Sequence, residues 1–230
     1  MQKELHKPRY LTLQKPNITL ANHIFRKAGI LFSKNDPSHD VNHAQRVLAL
    51  CLHIARGEKK KVDLQVLIPA AILHDIIVYP KNGPKAHLST EHSAEVAEKI
   101  LLELKGYPKE KIANVKTAIT QCSFSKGVVP RLYEAKILQD ADRLEATGAI
   151  SIMRTFSSTG SMKRTFYNTE DPFCEKREPD PVNYALDLFY ARLLKVGKMM
   201  HTKTAKKIAA RRTKFLYKFL NELKMEFEGK

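Results

Sequence analysis

Four side chains spread along these 230 residues are of the types that hold transition-metal ions: His43, the neighbouring pair His74-Asp75, and Asp142. The pair lies in the apolar run Val66-Leu67-Ile68-Pro69-Ala70-Ala71-Ile72-Leu73-His74-Asp75-Ile76-Ile77-Val78. A polar group carried into a core costs several kcal/mol unless it finds a partner, and an unpaired charge costs far more. A metal ion would satisfy both side chains at once. His43 precedes Val47, Leu50 and Ile54 by four, seven and eleven positions, so it shares their helix face and points inward. Taken alone, it reads as a satisfied core histidine. Asp142 follows Leu138 by four positions and precedes Ala146 and Ala149, again an inward face. Two imidazoles with two carboxylates suit Mn, Fe, Ni, Co or Zn better than Ca.

The elements that must position these groups read as helices. Val47, Leu50, Cys51 and Ile54 repeat at helical spacing, with Asp40 as the cap behind Ser38. Residues 62–77 are apolar on nearly all sides, as in a central buried helix. Thr90 to Lys105 has Ser89 or Thr90 as its start and Gly106 as its stop. Further helices are predicted near 109–122, 132–156, 182–200 and 202–227. No segment alternates convincingly as a strand, so the fold class is all-α. Tyr79-Pro80-Lys81-Asn82-Gly83-Pro84 is a loop, and Ser157 to Pro181 is a long, proline-containing irregular connection. Residues 1–16 read as a loose leader and 17–230 as one domain.

Three segments carry a resemblance. Ser38-His39-Asp40-Val41-Asn42-His43-Ala44-Gln45-Arg46-Val47, Leu73-His74-Asp75 with Tyr79-Pro80-Lys81, and Gln139 to Ile150 are similar to the motifs of the HD-domain metal-dependent phosphohydrolase superfamily. Tyr167 to Pro172, Phe189 to Lys195 and the basic final helix further resemble small bacterial HD hydrolases that include nucleoside triphosphate pyrophosphatases. The resemblance covers roughly residues 36–228. It implies a helical bundle of the HD type with a long irregular loop before the C-terminal helices. It implies His43, His74, Asp75 and Asp142 as metal ligands, His74 and Asp75 being catalytic, and Asp140 as a supporting residue. The cofactor implied is one divalent ion, manganese first, with Mg, Ni, Co, Fe or Zn as the other choices. Two departures stand out. Val78, Tyr79 and Gly83 occupy positions where relatives carry acidic residues that help position water, and Cys122 stands where the branch is expected to carry histidine.

A net charge of +16 favours anionic partners. Arg46, three residues after His43 on the same side, Lys81 in the following loop, and Arg143 beside Asp142 are the cations placed to bind phosphate. Lys81 also reads as a solvated loop lysine, and Arg143 as a partner of Glu145 or of a helix end. His87 and His92 are assigned surface or supporting roles, and His39 a capping or loop-packing one. The expectation is a cytoplasmic enzyme that cleaves a (deoxy)nucleoside triphosphate, or another phosphorylated small molecule, to monophosphate and pyrophosphate with metal-activated water. A phosphodiesterase or phosphomonoesterase on the same metal is the enzymatic alternative. A basic nucleic-acid-binding module with a vestigial site is the non-enzymatic one. No membrane partner is expected, since no apolar run has transmembrane length and Met1 to Leu13 lacks a signal-peptide core. Three cysteines without Cys-x-x-Cys spacing argue against a disulfide framework. The sequence leaves oligomeric state open.

Overall fold

The computed structural model describes residues 14–32, 39–79, 83–123 and 127–230. Among them the regular structure is helical, with a single isolated bridge between Thr165 and Tyr184 in place of any strand. No described helix is long and apolar enough to cross a membrane. The chain forms two compact units, residues 1–142 and 143–230.

The first unit is built around an unusually apolar helix. Helices α1 (Lys15–Ala28), α2 (Val41–Gly57), α4 (Ser89–Leu102) and α5 (Ile112–Thr120) all pack on α3 (Leu64–Leu73). Every α3 side chain from Val66 to Leu73 is buried. A helix apolar on all sides has no stable position except the centre of a core. The start of α1 at Lys15, with Pro16 in its first turn, falls two residues inside the expected leader.

Pro69 inside α3 has no N–H to give to the Gln65 carbonyl one turn earlier. The Tyr107 hydroxyl supplies that missing bond, donating to Gln65 O over 2.8 Å. Burial, then Asp63 and Glu110, raises the phenol's pKa, so it remains a donor. Tyr107 reaches this point because Gly106 ends the α4 segment in the left-handed conformation, φ 80°. The N-terminus of α3 is pinned as firmly. The Asp63 carboxylate accepts from Gln65 N and pairs with Lys111, while Asp63 N donates to the Glu134 carboxylate over 2.8 Å. Glu134 lies in α6 (Tyr133–Leu144), so the helix that carries Asp142 is tied directly to α3. Buried Gln139 of α6 donates to the carbonyls of Gln121 and Val128, over 2.9 and 3.1 Å.

The predicted helix over 62–77 stops at Leu73, and Ile76 to Tyr79 instead docks on α4. Ser93 bonds both N and O of Ile77, and Ser89 accepts from Tyr79 N. The predicted 132–156 helix is also two elements. It breaks at Glu145–Thr147 and resumes as α7 (Gly148–Met162), with Gly148 at φ 71°. A side chain at Gly148 would meet the Arg212 stem at 3.1 Å, so the positive φ and the packing both call for glycine where the chain re-enters a helix.

In the second unit α7 packs on α8 (Lys203–Phe227). Leu186, Phe189, Leu193, Leu216 and Leu220 form its buried centre. Since α7 continues to Met162, the irregular connection begins six residues later than predicted. Over 182–200 the expected helix is reduced to a π turn, Phe189–Leu193, and a 3-10 turn, Val196–Met199. The cause is a competing polar network. Fully buried Asp187 accepts from Asp180 N and from both terminal nitrogens of Arg177.

Replacing Tyr107→Phe removes the bond to the Gln65 carbonyl and is expected to lower stability by about 0.5–1.5 kcal/mol. Urea denaturation followed by circular dichroism checks this; an unchanged midpoint would show that the bond contributes nothing.

Candidate metal centre

His74 closes α3 with helical backbone angles, φ −60° and ψ −33°, and with Asp75 it forms the turn that follows Leu73; both side chains reach the same cluster. His74 is 1% exposed. Its Nδ1 lies 3.0 Å from the Ala71 carbonyl. A carbonyl only accepts, so Nδ1 carries the proton and Nε2 presents its lone pair. That Nε2 faces His43 Nε2 at 3.3 Å. His43, also 1% exposed, stands in the first turn of α2, where the capping carboxylate of Asp40 accepts from His43 N over 2.8 Å.

The two carboxylates complete the cluster. Asp75 Oδ2 lies 3.5 Å from His74 Nε2 and 3.7 Å from His43 Nε2. Asp142 Oδ1 lies 3.7 Å from His43 Nε2 and 3.9 Å from His74 Nε2. The four donor atoms all fall within 4.8 Å of one another. Bonds of about 2.1 Å to a common ion would put neighbouring donors roughly 3.0–3.4 Å apart, so this set is one small contraction from coordination. The donor chemistry fits a divalent ion: two neutral rings and two carboxylates balance its charge. Both carboxylates keep about a quarter of their side-chain surface exposed, which leaves the centre an open side. Burial alone would raise the Asp75 carboxyl, but His74, and then His43 and His39, hold it well below the usual carboxylate range.

The structure brings together all four residues chosen as ligands from the sequence. Asp140, two residues before Asp142, is fully buried outside the donor set. Arg46 stands one turn beyond His43 on α2 and is partly buried. Lys81 lies outside the described residues. The Arg143 guanidinium is engaged within the second unit, donating to the Met199 carbonyl over 2.7 Å and meeting His201 Nε2 at 3.1 Å. His87 is exposed, and His92 bonds the Tyr79 hydroxyl at 2.7 Å. Cys122 is buried. Burial, then Asp142 and Asp140, pushes the thiol of Cys51 well up, so it packs as a neutral side chain.

One residue is more involved than the sequence suggested. Asp40 makes the helix cap, and His39 turns to the cluster instead, its Nε2 3.9 Å from Asp75 Oδ2 and its ring edge-on to His43. Its position four residues before His43 was the available signal.

The HD domain family model matches residues 40–147, which contain the whole cluster. The protein YpgQ of Bacillus subtilis strain 168 is 32% identical over 203 residues, spanning 86% of this chain and 89% of that protein. A crystal structure of B. subtilis YpgQ in complex with ADP superposes with a TM-score of 0.68 at 27% identity, over 91% of this chain and 96% of that one. An HD-superfamily hydrolase from Bacillus thuringiensis superposes with a TM-score of 0.62 at 26% identity, over 94% and 97% of the two chains.

His74→Ala is expected to weaken manganese(II) binding by more than about 100-fold, since loss of even an outer partner of a metal ligand costs about 10–100-fold. Titration calorimetry on the chelator-treated protein measures this, and an unaltered affinity would remove His74 from the ligand set.

Proposed function

Because the chain belongs to the HD domain family, whose members in hand include an HD-superfamily hydrolase, we propose that it is a metal-dependent phosphohydrolase of nucleotides, cleaving a (deoxy)nucleoside triphosphate to monophosphate and pyrophosphate. The observation that carries this reading is the cluster His43, His74, Asp75 and Asp142, buried at its imidazoles and open at its carboxylates. Support for a nucleotide comes from the ADP held by the YpgQ structure and from the net charge of +16.

In this reading the four residues hold one ion, manganese first. A bound divalent ion supplies charge neutralisation at a phosphoryl oxygen and lowers the pKa of water to near neutrality. The chain's own groups do the rest. The Ala71 carbonyl keeps the His74 proton on Nδ1, so the ring cannot turn its lone pair away. Asp75, ionised through the whole physiological range, anchors the three surrounding imidazoles at 3.5–3.9 Å from Oδ2. Val78, Tyr79 and Gly83 provide no carboxylate, and His39, 3.9 Å from Asp75, is a further polar group at the cluster for a substrate or water. Arg46, one turn beyond His43 on α2, is assigned to the phosphates, with Lys81 as a second.

Incubation with manganese(II) and a panel of ribo- and deoxynucleoside triphosphates, quantifying pyrophosphate and orthophosphate separately, tests the proposal. Metal-dependent release of pyrophosphate is expected. Orthophosphate alone would make the enzyme a phosphomonoesterase, and no hydrolysis with any divalent ion would refute catalysis. Asp75→Asn should reduce kcat by about 100-fold or more. Arg46→Ala removes hydrogen bonds to a charged group worth about 1.5–3 kcal/mol, an expected loss of roughly 10–150-fold in kcat/KM.

A further inference from the structure

The second unit contains a cavity of about 570 Å³ between the first turn of α7 and the middle of α8. Arg211, Arg212, Lys214 and Lys218 line it, together with Phe215 and residues 147–150, and no Asp or Glu does. Arg212 is already engaged: its guanidinium donates to the Leu144 carbonyl over 2.8 Å, and its stem lies against Gly148. It forms the floor. Arg211, Lys214 and Lys218 are exposed around the opening. They stand at i, i+3 and i+7, so they are same-face neighbours, and like charges at such spacing repel. From Lys203 to Lys218 the helix has no acidic residue to relieve that repulsion. A multivalent anion would.

Other features of the cavity narrow the ligand. Phe215 is 46% exposed on the wall, offering a flat apolar face among the cations. Thr147 does not cap α7; its hydroxyl donates to the Leu144 carbonyl, and the first turn carries no acidic residue. The volume falls in the range of pockets for small ligands, roughly 300–1,000 Å³. We propose that this cavity is a second binding site, for a nucleoside polyphosphate whose phosphates meet Arg211, Lys214 and Lys218 and whose base stacks on Phe215. All of its lining residues belong to the second unit, whereas the four-residue cluster belongs to the first.

Equilibrium dialysis of the full-length protein with ADP in EDTA tests it, because chelation removes the metal centre's contribution without a substitution. Binding is expected to persist in EDTA and in Asp142→Ala. The triple variant R211E/K214E/K218E should weaken it by at least about tenfold, and the neutral variant R211Q/K214Q/K218Q should weaken it less. Phe215→Ala should weaken ADP but not inorganic pyrophosphate. No ADP binding in EDTA, or binding that charge reversal leaves unchanged, would overturn the site. Equal loss of ADP and pyrophosphate in Phe215→Ala would overturn the stacking. A single-stranded oligonucleotide that binds and is lost on charge reversal, while ADP never binds, would replace the proposal with a nucleic-acid surface. Since none of these readouts requires hydrolysis, failure here leaves the proposed activity untouched, and the converse holds.

Discussion

Helix α3 buries every side chain from Val66 to Leu73, so four other helices must close around it, and it must end where its first polar residues begin. The candidate metal centre sits at that end, where His74 and Asp75 meet His43 of α2 at 3.3 and 3.7 Å. The same helix carries a proline, and the bond it cannot make is supplied by Tyr107 across the unit. The helix that ends in the site is thus held near its start by a bond from a different element.

Around that end, electrostatics and hydrogen bonding agree. Two imidazole nitrogens 3.3 Å apart are a poor arrangement for two protonated rings, and their lone pairs are compatible only with a cation or a shared proton between them. The Ala71 carbonyl selects the required tautomer of His74, and the three rings around Asp75 hold its carboxyl below the usual range. Asp142 arrives on α6, which the Asp63–Glu134 bond ties to the opposite end of α3. Each donor therefore has its own structural reason for being where it is. That is the preorganisation expected of a site meant to bind an ion rather than to fill a core.

The second unit follows different rules. Its irregular stretch is ordered by ionic and backbone bonds, with Arg177 and Asp180 N converging on buried Asp187, and Arg164 donating to Pro181 O and Ser158 Oγ. Such a network competes with regular helix hydrogen bonding, and only a π turn and a 3-10 turn survive beside it. On α8 the apolar stripe Leu216–Leu220 is buried while the cationic face is not.

Residue type and helical spacing were enough to find the helical class, the inward faces of His43 and Asp142, the apolar helix before His74-Asp75, and the N-cap at Asp40, because these are local properties with a period of 3.6 residues. The resemblance to the HD motifs, added to that spacing, named all four members of the cluster as ligands. What they could not find depends on partners distant in sequence. The path of the chain after α3 is held by Ser89 and Ser93 of α4, and glycine at 148 is required by Arg212 some sixty residues on. The loss of helix over 182–200 is decided by Asp187 meeting Arg177, and the commitment of Arg143 by the Met199 carbonyl. His39 is the clearest case: the sequence places it at a helix start, where capping or loop packing is the expected role. Only the folded chain, by giving the cap to Asp40 and Asp75 to His39, assigns it to the site.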